Sequence, residues 1–297
     1  MRHIRLSNKQ RSTTLKAEIN KYLFKRKHFD NTVLIDGDII VYRCGFAAEK
    51  AQYHLWDKNG VFLGTFQYKR EMNEFVKSLE EGWTFEKEIK VDNLANTLHS
   101  VKITVDSIIE RCQAGYVRVF LTGSGNFREK VATTQTYKGT RPDAKPKWYD
   151  EIKRYLRSGY GAVTAEGIEA DDLMGIEARK NTEKNVIASL DKDLDVVPGW
   201  HYNWVKDELY WVDEISALRN FWSQMITGDT IDNIAGIRGK GEKYAEKLLG
   251  EVDDPKKMEQ LVYQEYQKAF GDNADHRFEE NKQLLWILQD EQDIPEI

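Results

Sequence analysis

Residues 169–195 read EADDLMGIEARKNTEKNVIASLDKDLD: an acidic helix start, a polar turn, then an apolar strand ending in alternating aspartates. Val186, Ile187, Ala188 and Leu190 make the short apolar run expected of a parallel strand buried on both faces. Asp191, Asp193 and Asp195 follow at its carboxyl end, where open α/β sheets gather their ligands. Glu169 and Asp172 are three apart and share a helix face, with Asp171 beside them in the first turn. Carboxylates that close repel one another unless cations neutralise them, and hard divalent ions, Mg2+ or Mn2+, suit oxygen donors. A plainer reading competes, because the helix dipole favours acids in a first turn and Asp after a strand is ordinary turn chemistry. Taken singly, each cluster is weak evidence for a metal.

The same setting recurs twice. Val33-Leu34-Ile35 forms a buried strand that delivers Asp36-Gly37-Asp38 at its end. A helix over 216–227 leads into Gly228-Asp229-Thr230-Ile231-Asp232-Asn233. Directly after it, Gly236, Arg238, Gly239, Lys240 and Gly241 precede a helix over 242–249 that carries Lys243. Exposed backbone N–H groups, a helix N-terminus and nearby cations make that hairpin an anion cradle. Its structural alternative is a tight turn between helices. Tyr137-Lys138-Gly139-Thr140-Arg141-Pro142 sets two cations beside an aromatic ring, a pattern that grips a phosphate while a base stacks. For that segment alone, a solvated basic loop is the ordinary reading. The glycine-rich run 122–126 is an incomplete G-x-G-x-x-G with no ribose-binding acid downstream, which argues against a dinucleotide or P-loop site.

The chain has 297 residues, enough for two domains or one with appendages. Its 40% hydrophobic and 31% charged content is that of an ordinary globular protein. No apolar run approaches the roughly 18 residues of a membrane span, and the N-terminus lacks a signal peptide's apolar core. Cys44 and Cys112 have no metal-ligand spacing and point to a reducing compartment, so the cytoplasm is expected. The net charge of −5 looks wrong for a nucleic-acid partner until the candidate site acids are set aside, when the balance turns positive. Residues 1–30 hold nine Lys or Arg against Glu18 and Asp30 and form a basic arm suited to phosphates or a solvated terminus.

An amphipathic helix is expected over 14–29, a hairpin of 52–56 with 61–68, and helices near 69–80 and 91–112. Strands are expected over 116–121, 161–165, 200–205 and 208–212, with a helix over 152–157 and two more within 255–290. The fold class is α/β, a mainly parallel twisted sheet flanked by helices, followed by a helical subdomain. The boundaries read as a basic arm over 1–30, a core over 31–213 with an insertion at 45–110, and a helical part over 214–297.

LIDGD at 34–38, TYKGTRP at 136–142, EADD at 169–172, SLDKD at 189–193 and GDTIDNIAGIRGKG at 228–241 together resemble the 5′-nuclease (flap endonuclease) superfamily, above all its bacteriophage 5′–3′ exonucleases. The resemblance implies a PIN-like core and a helix–three-turn–helix subdomain. Two metal ions are implied: Asp171, Asp172 and Asp191 would hold the first, Asp193, Asp229 and Asp232 the second, with Asp36 and Glu169 acting through water. Lys138 would contact the scissile phosphate, supported by Arg141, while Tyr137 stacks the terminal base. The hairpin 236–241 would grip duplex phosphates and often a K+ ion. Implied partners are DNA with 5′ ends or flaps and RNA–DNA hybrids, for a monomer in the host cytoplasm if phage-encoded. Family members commonly carry an Asp just after the second strand; Thr122-Gly123-Ser124 has none. Two rivals stand beside the metal nuclease: a DNA-binding protein with an impaired metal site, and a PIN-type ribonuclease.

Overall fold

The computed structural model describes residues 30–142 and 144–294; the arm and the helix expected over 14–29 fall outside them, apart from Asp30. Two compact units result, one of residues 30–39, 106–142 and 156–294, the other of 40–105 and 144–155. In chain order the elements are β1 (Asn31–Asp36), α1 (Gly37–Ala47), β2 (Glu49–Trp56), β3 (Phe62–Phe66), α2 (Lys69–Val76), β4 (Thr84–Val91), α3 (Leu94–Arg111), β5 (Ala114–Asn126), α4 (Phe127–Val131) and α5 (Tyr149–Tyr160). There follow β6 (Val163–Gly167), α6 (Ala170–Lys180), β7 (Asn185–Ala188), β8 (Gly199–Asn203), β9 (Glu208–Val212), α7 (Glu214–Thr227), β10 (Gly228–Asp229), β11 (Ile234–Ala235), α8 (Glu242–Leu249), α9 (Pro255–Phe270) and α10 (Ala274–Leu285).

The first unit is built on a six-stranded sheet in the order β6-β5-β1-β7-β8-β9. Every pairing is parallel except the edge pair of β8 with β9. β1 sits at the centre because Val33, Leu34 and Ile35 are apolar on both faces and fully buried. The register sets Ile35 against Val119 of β5 and Ala188 of β7, so the acids after β1 and β7 leave the sheet at one edge. Gly37 lets α1 start there: a Cβ would meet the Phe120 carbonyl oxygen at 2.5 Å.

The helices α6 to α10 share one core with the sheet, in which Leu34, Met174, Phe221, Met225, Met258, Tyr266 and Phe278 meet. Burying one such side chain contributes about 1.5–3 kcal/mol. Helix starts follow local chemistry. Asp213 caps α7 by accepting the Ser216 N–H at 2.8 Å, and Asp254 caps α9 ahead of Pro255. The parallel sheet and helical C-terminal region are those the sequence predicts. No helix among the described residues is long and apolar enough to cross a membrane.

The second unit holds the antiparallel sheet β3-β2-β4. Its hairpin turns at Asp57–Gly60 as predicted, with Asp57 N–H donating to the Val61 carbonyl at 2.9 Å. β4 is not anticipated by the sequence reading. Every one of its residues is exposed, and eight pairings with β2 define it.

Candidate functional site

A line of hydrogen bonds joins the acids at the sheet edge of the first unit. Asp36 ends β1 and accepts the Ile39 N–H at 3.0 Å and the Ser189 hydroxyl at 2.9 Å. Ser189 Oγ accepts the Asp191 N–H at 3.0 Å, and Asp191 Oδ1 accepts the Asp193 N–H at 2.9 Å. From α7, the Gln224 amide donates to Asp193 Oδ1 at 2.5 Å. The strand ends are therefore stitched together before any ligand arrives.

These carboxylates repel one another out of solvent. Burial, then Asp38 and Asp191, push Asp36 up to about 7. Burial, then Asp191, Asp229 and Asp232, push Asp193 up to about 7 as well. Asp171, in the first turn of α6, is pushed well above the usual range by burial, then by Asp36, Asp191 and Glu169. Asp191 is raised by burial and by Asp232 and Asp229. Among the described residues no three or more His, Cys, Asp or Glu side chains stand close enough together to hold a metal ion as they are placed. What they share is one edge, withdrawal from water and mutual repulsion. The donor type, carboxylate oxygen throughout, is that of hard divalent cations, which would relieve the repulsion.

The cations expected from TYKGTRP stand at the same edge. Lys138 pairs with Glu169 and lies 3.7 Å from Asp232, and Arg141 pairs with Asp232. Lys138 has φ 54° and Asn233 φ 59°, left-handed conformations that cost a side-chain-bearing residue of order 1–3 kcal/mol each. The Lys138 N–H donates to the Asp232 carbonyl at 2.9 Å, and Asn233 Nδ2 donates to the Thr136 carbonyl at 2.9 Å. Two strained residues are thus bonded across two loops. Asp229 accepts the Ile231 and Asp232 N–H groups at 2.7 and 3.3 Å, which shapes the turn between β10 and β11. Gly228, at φ 70°, lets α7 end there.

Three expectations differ from what is found. Asp172, read as a ligand of the first ion, is fully buried and turned away into an ion pair. Arg128 holds its two oxygens at 2.7 and 2.8 Å, and they also accept the N–H groups of Glu169 and Leu288, each at 3.0 Å. Its helix position sends it to the core while Asp171 faces the edge. Tyr137, read as stacking a base, is 8% exposed, with its hydroxyl 2.9 Å from both Glu169 and Asp232. Burial and those two carboxylates raise its pKa and keep it a neutral phenol. Lys240, read as a phosphate contact, pairs with the buried Glu265, which the Tyr244 hydroxyl and Lys268 also reach at 2.6 Å each. Burial alone would raise Glu265, but Lys240, Lys268 and Tyr244 reverse that and hold it at about 2.

In the hairpin, Gly236 is half-buried, while Arg238, Gly239, Gly241 and Lys243 are exposed. At the vacant acid position, the Thr122 N–H donates to Asp38 at 2.7 Å and its hydroxyl accepts the Ala170 N–H at 3.1 Å. Thr122 therefore ties β5 to the starts of α1 and α6 with neutral groups. Arg128 and Gln224 are not singled out by the sequence reading, and Ser189 and Thr122 are quoted there without these bonding roles. Only Asn126, a helix-capping residue two before Arg128, signals that a helix begins there.

No protein-family model matches the chain. The T5 D15 protein, solved with metal ions, superposes with a TM-score of 0.53 over 86% of this chain and 88% of its own, at 15% identity. This chain has the fold of the T5 D15 protein. It resembles the 5′-nuclease superfamily in sequence too, being 26% identical to flap endonuclease Xni of Vibrio vulnificus over 54% of this chain and 69% of that protein. DNA polymerase I of Caldicellulosiruptor bescii is 26% identical over 52% of this chain. The match covers only 21% of that polymerase's length.

Proposed function

We propose that this chain is a divalent-metal-dependent 5′–3′ exonuclease and flap endonuclease, hydrolysing DNA phosphodiesters near 5′ ends and leaving 5′-phosphates. The observation that carries this reading is the meeting of four raised, mutually repelling carboxylates with Lys138 and Arg141 at one sheet edge. The name of flap endonuclease Xni and the metal ions of the T5 D15 protein support it.

Asp36, Asp171, Asp191 and Asp193, with Glu169, Asp229 and Asp232, would hold two ions, Mg2+ or Mn2+. Bound there, such ions lower the pKa of a water and neutralise charge on a phosphodiester. Asp172 belongs to the support of this set, through Arg128. Lys138 and Arg141 stabilise charge on the non-bridging oxygens, a task for fixed cations in a partly desolvated place. Their present partners, Glu169 and Asp232, keep that charge at the edge. Tyr137 sets its hydroxyl 2.9 Å from both acids and donates its one proton to either of them. The Ser189 and Gln224 hydrogen bonds hold Asp36, Asp191 and Asp193 in place, which favours a preorganised site.

Arg238, Lys243 and the backbone of 236–241 suit duplex phosphates, and the hairpin also suits K+. RNA–DNA hybrids are included as substrates, and the active species is a monomer. Cleavage of 5′-labelled flap and blunt duplex DNA tests the reading. Short 5′ products with Mg2+, absent with Ca2+ and with Asp191→Asn, are expected. Flap binding without cleavage in Mg2+ or Mn2+ would overturn the enzyme reading in favour of a DNA-binding protein.

A further inference from the structure

Residues 132–142, between α4 and residue 143, carry Lys138 and Arg141 outside any helix or strand. One carboxylate holds the start of this loop. Glu280, on α10, has a side chain 4% exposed. Its Oε1 accepts the backbone N–H groups of Thr133 and Thr134, each at 2.6 Å, and the Thr133 hydroxyl at 3.0 Å. Its Oε2 accepts the Thr134 hydroxyl and, at 3.3 Å, Arg277 Nη1. An ionised carboxylate offers about four lone-pair sites, so Glu280 is saturated, mostly by one dipeptide. Burial would raise its pKa, but the Thr134 and Thr133 bonds lower it and keep it ionised.

The same helix face holds the other half of the site. Arg277 Nη2 and Asn281 Nδ2 both donate to the Ala235 carbonyl, at 3.0 and 2.9 Å. Residues 277, 280 and 281 are neighbours on one face of α10. That face therefore grips the loop bearing Lys138 and the β10–β11 hairpin bearing Asp229 and Asp232. Between the two grips the loops are tied by Asn233 to Thr136 and by Lys138 to Asp232. The left-handed backbone at Lys138 needs such over-determination to persist.

We propose that Glu280 is a positioning residue that acts through Lys138, fixing where its ammonium stands relative to the edge carboxylates. This rests on the reading of Lys138 as the phosphate cation. Glu280→Gln keeps the shape but removes the charge and turns one of the two acceptor oxygens into an NH2 donor, and Thr134→Val removes one donor and keeps the backbone bonds. Each is compared in the wild-type and Lys138→Ala backgrounds.

The expected result for Glu280→Gln is a kcat about 10-fold lower with KM held, since small misplacements of a catalytic group are costly. In the Lys138→Ala background the same substitution should change kcat by less than about twofold, because residues acting as a unit are not additive. Equal losses in both backgrounds would overturn the proposal. Amide hydrogen exchange gives a readout free of activity. Faster exchange confined to 133–142 is expected in both variants, with β1 and β7 unchanged. Unchanged exchange in 133–142, or faster exchange throughout the chain in both variants, would overturn it. If the wild type cleaves no DNA, the functional reading fails while the exchange experiment still decides the Glu280 anchor.

Discussion

Arg128 and Asp172 meet through two nitrogens and two oxygens, at 2.7 and 2.8 Å, with side chains 3% and 0% exposed. Burial opposes the charge on Arg128, but the hydrogen bonds to Asp172 outweigh it and push the guanidinium pKa up. Arg128 also donates to the carbonyls of Leu284 and Trp286, at 3.0 and 2.6 Å. Breaking such a pair from one side strands a buried charge, at a cost of about 3–5 kcal/mol. Arg128→Met should therefore lower Tm by on the order of 10 °C. Calorimetry on the metal-free protein checks this; a shift within 2 °C of wild type would contradict it.

The edge acids give the opposite sign. Asp36 and Asp193 are raised to about 7 in the folded chain, against an ordinary carboxylate near 3.8. An acid raised on folding adds stability below its unfolded pKa, and that stability is lost as pH rises through the folded value. With a chelator present, Tm should fall between about pH 4 and pH 7. Asp193→Asn should flatten the fall and melt higher than wild type at pH 8. Adding Mg2+ at pH 8 should raise the wild-type Tm and leave the variant nearly unchanged. A wild-type Tm that climbs across that range would be the wrong sign.

Lys138 and Arg141 should separate from the hairpin cations in kinetics. Lys138→Ala removes the fixed charge proposed to meet the reacting phosphate and should lower single-turnover rate by about 10²–10³, with DNA affinity in Ca2+ little changed. A rate within threefold of wild type would remove Lys138 from the chemistry.

Lys240 and Arg238 lie two apart in the hairpin and should behave differently. Arg238 is exposed, so Arg238→Ala should reduce the slope of log affinity against log salt by about one. Lys240 is committed to Glu265, so Lys240→Ala should mainly destabilise, leaving Glu265 short of a partner. Fluorescence titrations of duplex DNA at several salt concentrations distinguish them. Equal slopes for the two variants would show that Lys240 leaves Glu265 to bind phosphate.

The sheet was legible because its strands announce themselves locally. Val33-Leu34-Ile35 and Val186-Ile187-Ala188 are apolar on both faces, and their acids follow at once. β4 was not, since Lys87 interrupts the alternation and each of its residues stays exposed; pairing with β2 makes it a strand. Asp171 and Asp172 carry the same signal in sequence, and only their helix positions send one to the edge and the other to the core. Nothing local to Arg128 names a partner 44 residues away. Lys240 looked free because Glu265, 25 residues on, could not be seen beside it. Charge-bearing residues were thus found readily, but their partners were not.

The Leu288 N–H on Asp172, and the Leu284 and Trp286 carbonyls on Arg128, have a consequence for synthesis. A nascent chain that already holds every acid of the edge still lacks the backbone that seats Arg128. Asp171, next to Asp172, comes under that constraint only once residue 288 has emerged and folded back. The growing polypeptide therefore stays without a finished acidic edge until nearly all of the described sequence has been translated.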